Sequence, residues 1–312
     1  MCRAPVTTPA PASLEEVRDR ARGAFLGLAV GDALGATVEF MTPGEIRARY
    51  GVHRQVVGGG WLHLRPGRVT DDTEMSLCIA RALDAYGGWS LPAIAERLAA
   101  WLRSCPVDVG STCRRGIREY MLNGTLEMPP NEWDAGNGAA MRMVPVALVT
   151  LANRELLARR AREQARLTHH HPLSDAASVL VGRLLHLACL GLSLRSLRRV
   201  ADEAAEAEPR LRFEPYRGEA SGYVADTLQT VLHHLFATPS FEECLVATVN
   251  QGGDADTTGA IAGAIAGAYY GPEAIPRRWT RKLDRSLAGE LATLACRLVE
   301  LSPLGGGEPP EL

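Results

Sequence analysis

Two short acidic clusters carry the clearest chemical potential in the sequence: Thr70-Asp71-Asp72-Thr73 and Asp254-Ala255-Asp256-Thr257-Thr258. The first stands just before the helical stretch EMSLCIARALDAY, the second just before a glycine-rich run. Asp and Thr are favoured at helix N-termini, so either cluster alone reads first as a cap. One carboxylate suffices for capping, however, and a second beside it adds repulsion. If both clusters face one pocket, their four carboxylates cannot all stay ionised without cations. Oxygen ligands without neighbouring cysteine suit a hard ion, Mg²⁺ or Mn²⁺, and two carboxylate pairs suit a binuclear centre.

Two further stretches have chemical potential of a weaker kind. In Asp134-Ala135-Gly136-Asn137-Gly138-Ala139-Ala140-Met141-Arg142 the glycines precede an expected helix, MRMVPVALVTLA. Backbone N–H groups exposed there would suit a diphosphate, although an ordinary turn is the plainer reading. Thr168-His169-His170-His171-Pro172 reads as an exposed loop, with neither an H-E-x-x-H spacing nor a cysteine partner for zinc.

Other motifs fail on inspection. Asp254-x-Asp256-x-Thr258 has the form used by haloacid-dehalogenase-type phosphatases, but NQGG precedes it where a buried strand should stand. An EF-hand loop starting at Asp254 would need Glu where Ile265 is. Met141 occupies the third glycine position of a G-x-G-x-x-G fingerprint, and no G-x-S-x-G elbow exists. Lys282 is the only lysine among 34 basic residues, and its setting, RRWTRKLDR, fits no Walker A lysine, pyridoxal Schiff base or S-x-x-K nucleophile.

The elements that must position these clusters are helical. Ser13 with Glu16 forms a capping box before Val17, Ala21, Phe25 and Leu28, which share one face. Ser90 caps LPAIAERLAAWL, and Ser240 with Glu243 forms a second capping box. Ala177–Leu190 and Asp226–Leu235 also read as helices. Strand-length alternation is scarce and aromatic residues are only 5%, which predicts an all-α fold. Gly23, Gly27, Gly31 and Gly35 recur every fourth residue, as do Gly259, Gly263, Gly267 and Gly271. Glycine costs about 1 kcal/mol per helix-interior position, so these ridges need a compensating gain. They either admit large neighbouring side chains or allow close backbone approach between two central helices from the two ends of the chain.

Length and composition frame that reading. The 312 residues are 46% hydrophobic and 22% charged with a net charge of -2, which suits a globular chain and offers no basic excess for nucleic acid. No linker-like break divides the middle, so one domain is expected over residues 13–302, with disordered tails at 1–12 and 303–312. Seven scattered cysteines without a C-x-x-C pair suit reduced thiols. The N-terminus lacks a signal peptide's apolar core, and the longest apolar runs fall short of the ~20 residues that span a bilayer. A cytoplasmic location is expected.

Taken together, GDALGATVEF (31–40), TDDTEMSL (70–77), GNGAAMR (136–142), THHHP (168–172) and NQGGDADTTGAIAG (250–263) resemble the ADP-ribosylglycohydrolase family. The motif order is specific, and the resemblance runs from about residue 20 to 285. It implies a single-domain orthogonal helical bundle with two divalent cations, Mn²⁺ in preference or Mg²⁺, at the base of an ADP-ribose cleft. Carried over, Thr70, Asp71 and Asp72 would serve one metal, Asp254 and Thr257 the other, with Asp256 bridging. Asp108 matches an acid near the scissile ribose and Glu39 an acidic position close to the metals. Gly110, Ser111, Thr112, Glu132, Asp134, Gly136, Asn137, Gly138, Ala139 and His169 would line the ADP-ribose site, and Tyr223 would stack on adenine. Ser111 stands where close relatives often carry Asn, and His170 is expected to be peripheral.

Within the family, GGGWLHLRPGRVTDDTEMSL, SCPVDVGSTCRRGI and RFEPYRGEASGYVADTLQTVLHH look like the branch that removes ADP-ribose from an arginine of dinitrogenase reductase, the nitrogenase iron protein. That branch implies a role in nitrogen fixation. It also implies regulation by a P-II signalling protein and, through it, peripheral recruitment to the membrane by an ammonium transporter. Breaking the ribose–guanidine bond develops positive charge on the sugar, so cations there would chelate ribose hydroxyls, orient the ring and acidify a water. Asp108, with Glu39 as second candidate, would handle protons in the manner of paired glycosidase carboxylates. The alternatives are a hydrolase of serine-linked ADP-ribose or O-acetyl-ADP-ribose, and a non-catalytic crystallin-like member. The latter would be expected to lose the Thr/Asp positions, all of which are present.

Overall fold

The computed structural model describes residues 12–307, and these form fourteen α-helices. In chain order they are α1 (Leu14–Gly35), α2 (Pro43–Tyr50), α3 (Asp71–Tyr86), α4 (Leu91–Arg103), α5 (Ser111–Asn123), α6 (Val144–Val149) and α7 (Arg154–Arg166). The remainder are α8 (Pro172–Cys189), α9 (Leu194–Ala207), α10 (Val224–Ala237), α11 (Phe241–Val249), α12 (Ala255–Tyr270), α13 (Arg277–Thr280) and α14 (Arg285–Glu300). Among the described residues there is no strand, only two isolated bridges, Gly59 with Leu64 and Gly136 with Tyr223. The expected all-α domain is what the chain forms. Most of the expected tails, residues 1–11 and 308–312, lie outside the described residues, while Pro303–Gly305 form a 3₁₀ turn.

Local chemistry explains most helix starts. Ser13 and Glu16 make the reciprocal capping box of α1, and Ser90 caps α4. Ser240 accepts from Glu243 N–H at the start of α11, but that cap is one-sided rather than a box. A capping box not expected from the sequence, Thr42 with Glu45, opens α2. Two expected helices are longer than predicted: α8 begins at Pro172, where proline suits the first helical position, and α10 spans Val224–Ala237. The expected helix over MRMVPVALVTLA is shorter, because α6 starts only at Val144, with Pro145 in its first turn.

The centre of the molecule is the antiparallel pair α1 and α12, which interlock through their glycines. A methyl group on Gly27 would overlap the Gly263 carbonyl oxygen, and one on Gly263 would overlap that of Gly27. Gly23 faces Gly267 and Gly31 faces Gly259 in the same reciprocal way, while Gly35 abuts the Ala255 carbonyl. The ridges therefore serve close backbone approach, not the seating of large side chains. Helix α12 is buried almost throughout and α1 over most of its C-terminal half, and α3, α8, α10, α11 and α14 pack around them. The pairing sets the C-terminal end of α1 beside the N-terminal end of α12, which carries Asp254 and Asp256.

With backbone on both sides of the contact, nothing flexible can yield to added volume. Gly263→Ala is expected to lower stability by about 1–3 kcal/mol in urea denaturation, and Gly263→Leu to leave no cooperative transition. An unchanged melting temperature in the leucine variant would refute the interlock.

Candidate active site

The turn after α1 carries Glu39 and Phe40. Phe40 has a φ of 61°, a conformation non-glycine residues seldom adopt, and its N–H donates to the Gly253 carbonyl (2.6 Å). Glu39 is buried and lines the cleft, whereas the Phe40 ring is 65% exposed and packs against Trp61, with ring centroids 5.4 Å apart. The Trp61 indole N–H donates to Glu39 Oε2 (2.6 Å), holding the carboxylate in place.

The start of α3 settles the capping question. Thr70 is the N-cap residue but its side chain makes no capping bond; the cap comes from Asp32 on α1. The fully buried Asp32 carboxylate accepts from Thr70 N–H (3.0 Å) and Thr73 N–H (3.2 Å), and from the hydroxyls of Thr70 (3.0 Å) and Thr73 (2.5 Å). Asp71 and Asp72 are thereby released from capping. At α12, Asp254 is the N-cap and likewise makes no side-chain cap. Asp32 is the residue the sequence reading missed. Its one signal was a lone carboxylate inside an apolar, glycine-spaced helix.

The acidic groups converge on a cleft of about 400 Å³. One carboxylate oxygen each from Glu39, Asp254 and Asp256 lies within 4.8 Å of the others. Asp72 lies beneath and is linked to Asp256 through threonines. Thr70 Oγ1 is 3.2 Å from Asp72 Oδ2 and 3.4 Å from Asp256 Oδ2, and Thr257 Oγ1 is 3.3 Å from Asp72 Oδ2. The single proton of Thr70 thus has three carboxylates within reach, counting Asp32, and can serve only one. The buried Asp72 Oδ1 has no hydrogen-bond partner. Asp71 Oδ2 accepts from Gly110 N–H (3.0 Å), tying the start of α3 to the start of α5.

Burial pushes Asp32 up to about 6 against the hydrogen bonds from Thr73 and Thr70, and burial aggravated by neighbouring carboxylates pushes Asp71 to about 7 and Glu39 to about 8. Asp72 and Asp256 are likewise held well above the usual carboxylate range by burial and neighbouring carboxylates. Asp108, half-buried in the cleft wall, is raised by burial as well. An all-oxygen set with an orphaned carboxylate oxygen and surplus negative charge is what a hard divalent cation neutralises, so the residues present fit the expected metal.

Of the residues expected at the site, Glu39, Asp71, Asp108, Asp254, Asp256 and Thr257 line the cleft together with Gly110, Ser111, Thr112, Gly136, Asn137, Gly138 and His169. Thr70 and Asp72 do not line it; both are fully buried behind it, hydrogen-bonded to the lining residues Asp256 and Thr257. Four further expected residues do not line it either. Glu132 is exposed to solvent. Asp134 is fully buried and ion-paired through Oδ1 to Arg115, while its Oδ2 has no hydrogen-bond partner among the described residues. Ala139 is buried, its carbonyl accepting from Gln164 Nε2 (3.0 Å). Tyr223 is 40% exposed and stands next to the lining residue Gly222.

Asn137 lines the cleft, but its amide donates to Asp254 Oδ2 (2.7 Å) and Thr227 Oγ1 (2.9 Å), so it positions a carboxylate. Gly138 has a steric reason to be glycine: a methyl group there would stand 2.7 Å from Cys113 Sγ and 2.9 Å from His169 Cε1. The histidine run is not an exposed loop. His169 is 2% exposed, His170 packs through Nδ1 on the Met128 carbonyl away from the cleft, and His171 caps α8.

An all-α domain whose central helix pair gathers acidic residues at one cleft defines a class. Residues 13–307 match the ADP-ribosylglycohydrolase family model, and the chain belongs to that family of hydrolases. Within it, the chain is 54% identical over 288 residues to the ADP-ribosyl-[dinitrogen reductase] glycohydrolase of Rhodospirillum rubrum, covering 92% of this chain and 98% of that one. It is also 31% identical over 316 residues to the ADP-ribosylarginine hydrolase Tri1 of Serratia proteamaculans, covering 95% and 83% of the two chains. A solved ADP-ribosylglycohydrolase-related protein complex superposes with a TM-score of 0.81 at 37% identity, covering 92% of this chain and 99% of that one. Among the described residues no helix is long and apolar enough to cross a membrane.

Two outcomes follow from the cluster. The raised carboxyls bind protons more tightly in the folded than in the unfolded chain, so their contribution to stability is lost as pH rises through their folded values. In EDTA the melting temperature is therefore expected to fall between about pH 5 and about pH 8, the window set by Asp32, Asp71 and Glu39. Added Mn²⁺ should restore it at the upper end. Asp32→Ala removes the cross-helix cap and should cost about 1–2 kcal/mol of stability. The same variant should weaken Mn²⁺ binding in a calorimetric titration.

Proposed function

We infer that this protein removes mono-ADP-ribose from an arginine of dinitrogenase reductase and so reactivates that protein. The observation that carries this reading is the end-to-end 54% identity to the Rhodospirillum rubrum glycohydrolase. The acidic cleft supplies chemistry that suits the reaction. Asp71, Asp72 and Thr70 on one side and Asp254, Asp256 and Thr257 on the other would hold two divalent cations, with Glu39 beside the second group. When bound, such cations supply charge neutralisation and a grip on the ribose hydroxyls.

The chain's own groups divide the remaining work. Asp108 stands in the cleft wall with its carboxyl raised by burial, and its Oδ1 accepts from Val109 N–H (2.8 Å). A carboxyl so poised can protonate the departing guanidine nitrogen and afterwards take a proton from water. The surrounding carboxylates oppose the positive charge that develops on the sugar and attract the guanidinium before it leaves. Helix α5 begins at the cleft with Gly110 as its N-cap and no side-chain cap. The N–H groups of its first turn, with the Ser111 and Thr112 hydroxyls, suit a diphosphate. The Gly136–Gly138 loop and His169 form the wall toward Gly222, and Tyr223 beside it suits an adenine ring. Cytoplasmic location, and recruitment to the membrane through a P-II protein and an ammonium transporter, belong to the same reading.

The decisive assay incubates the protein and Mn²⁺ with arginine-linked and serine-linked ADP-ribosyl proteins. Release from arginine is expected, and release from serine alone would overturn the substrate assignment. Asp256→Ala should abolish turnover with the fold retained by circular dichroism. Asp108→Asn should lower kcat by about 10²–10⁴-fold, and normal turnover across pH in that variant would remove Asp108 from proton transfer.

A further inference from the structure

Arg142 closes the GNGAAMR stretch and is fully buried, with no carboxylate paired to it among the described residues. Burying an unpaired cation is costly unless its donors are all well used. Its Nε donates to Gln164 Oε1 (2.8 Å), and Nη2 donates to the Gln164 carbonyl (2.9 Å) and to Thr168 Oγ1 (2.8 Å). Nη1 faces Cys113 Sγ (3.6 Å), and burial pushes that thiol up to about 12, so no thiolate balances the charge. Thr168 Oγ1 in turn lies 2.7 Å from His169 Nδ1. His169 lines the cleft, and its Nε2 has no hydrogen-bond partner among the described residues. Methyl groups on Gly136 and Gly138 would stand 3.1 and 3.2 Å from that nitrogen, which places it against the glycine loop.

The proton count selects one arrangement. If His169 carried its proton on Nδ1, Thr168 Oγ1 would accept from both Nδ1 and Arg142. Its own proton would then have only the Ala165 carbonyl, 3.5 Å away and already accepting from the backbone N–H groups of Thr168 (3.0 Å) and His169 (2.7 Å). With the proton on Nε2, Thr168 accepts from Arg142 and donates to Nδ1 over 2.7 Å, which uses the hydroxyl in both roles and leaves the Nε2–H free to face the cleft. We propose that Arg142 and Thr168 are positioning residues that hold His169 in the Nε2–H form, so that it presents a fixed N–H donor to an anionic ligand oxygen at the Gly136–Gly138 loop. Burial and the neighbouring cations Arg142 and Arg115 keep the ring neutral, which makes it a hydrogen-bond donor and not a second charge. The proposal rests on the ADP-ribose reading of the cleft for the identity of the ligand, but not for the tautomer.

The experiment pairs a spectroscopic and a binding measurement on the full chain. Nitrogen-15 NMR of histidine-labelled protein should show His169 as a neutral ring protonated on Nε2. In Thr168→Val that signature should be lost, and the affinity for free ADP-ribose should fall about tenfold by calorimetry. Mn²⁺ affinity should stay unchanged. Thr168→Ser, which keeps the hydroxyl, should restore both the signature and the affinity. An Nδ1–H ring in the unaltered protein overturns the proposal whatever the variants do. So does wild-type ADP-ribose affinity in a folded Thr168→Val protein. An Nε2–H ring in a protein that binds no ADP-ribose would leave the relay standing and remove the ligand reading instead.

Discussion

The glycine interlock of α1 and α12 is the constraint from which the site follows. Two helices can approach until their backbones touch only where no side chain intervenes, and here that condition holds at four successive turns. The tolerance is small because the opposing atoms are carbonyl groups and not flexible side chains. Each turn of close contact therefore sets the register of the next. At one end of that register Asp32, Glu39, Asp254 and Asp256 come together, although they belong to opposite ends of the chain. A looser pairing would separate the acids by more than one hydrogen-bonded threonine could span.

That convergence has an electrostatic cost which the structure leaves standing. Burial and repulsion raise Glu39, Asp71, Asp72 and Asp256, burial alone raises Asp32, and the hydroxyl of Thr70 cannot satisfy all of the carboxylates in its reach. The short hydroxyls of Thr70 and Thr257 bridge carboxylates without filling the cleft. Cationic side chains are kept out of the lining. Arg142 is spent on Gln164 and Thr168, and Arg115 on Asp134. The unbalanced charge is thus directed at whatever enters the cleft, which suits divalent cations and, behind them, a positively charged guanidinium.

Much of the fold was legible along the chain. The capping box of α1 and the caps of α4 and α11 could be read because capping is local chemistry between residues three apart. The glycine ridges pointed to close packing for a similar reason, since a fourfold repeat marks one helix face. The failures are equally physical. Asp32 stands out locally only as a lone carboxylate in a buried apolar run, and nothing near it in sequence shows that it caps a distant helix. Asp134 belongs to a stretch that resembles a binding loop, and its neighbour Asn137 does line the cleft, but Asp134 itself is buried and paired to Arg115. His169 looked like a member of a solvated histidine loop until burial against Gly138 and Thr168 showed otherwise.

By itself, the sequence determined the kind of chemistry available: oxygen donors in doubled acidic clusters, an almost complete lack of lysine, and glycines at helical spacing on two helices. Those are properties of composition and short-range order, which the chain carries before it folds. Only the tertiary structure decided which donors are free. A carboxylate at a helix start either caps its own helix or is relieved of that task by a partner, and Asp32 relieves Asp71 and Asp72. A buried histidine either donates or accepts, and the hydroxyl of Thr168 with the guanidinium of Arg142 behind it selects the donor. These choices depend on hydrogen bonds between residues far apart in the chain, and such bonds exist only once α1 and α12 have met.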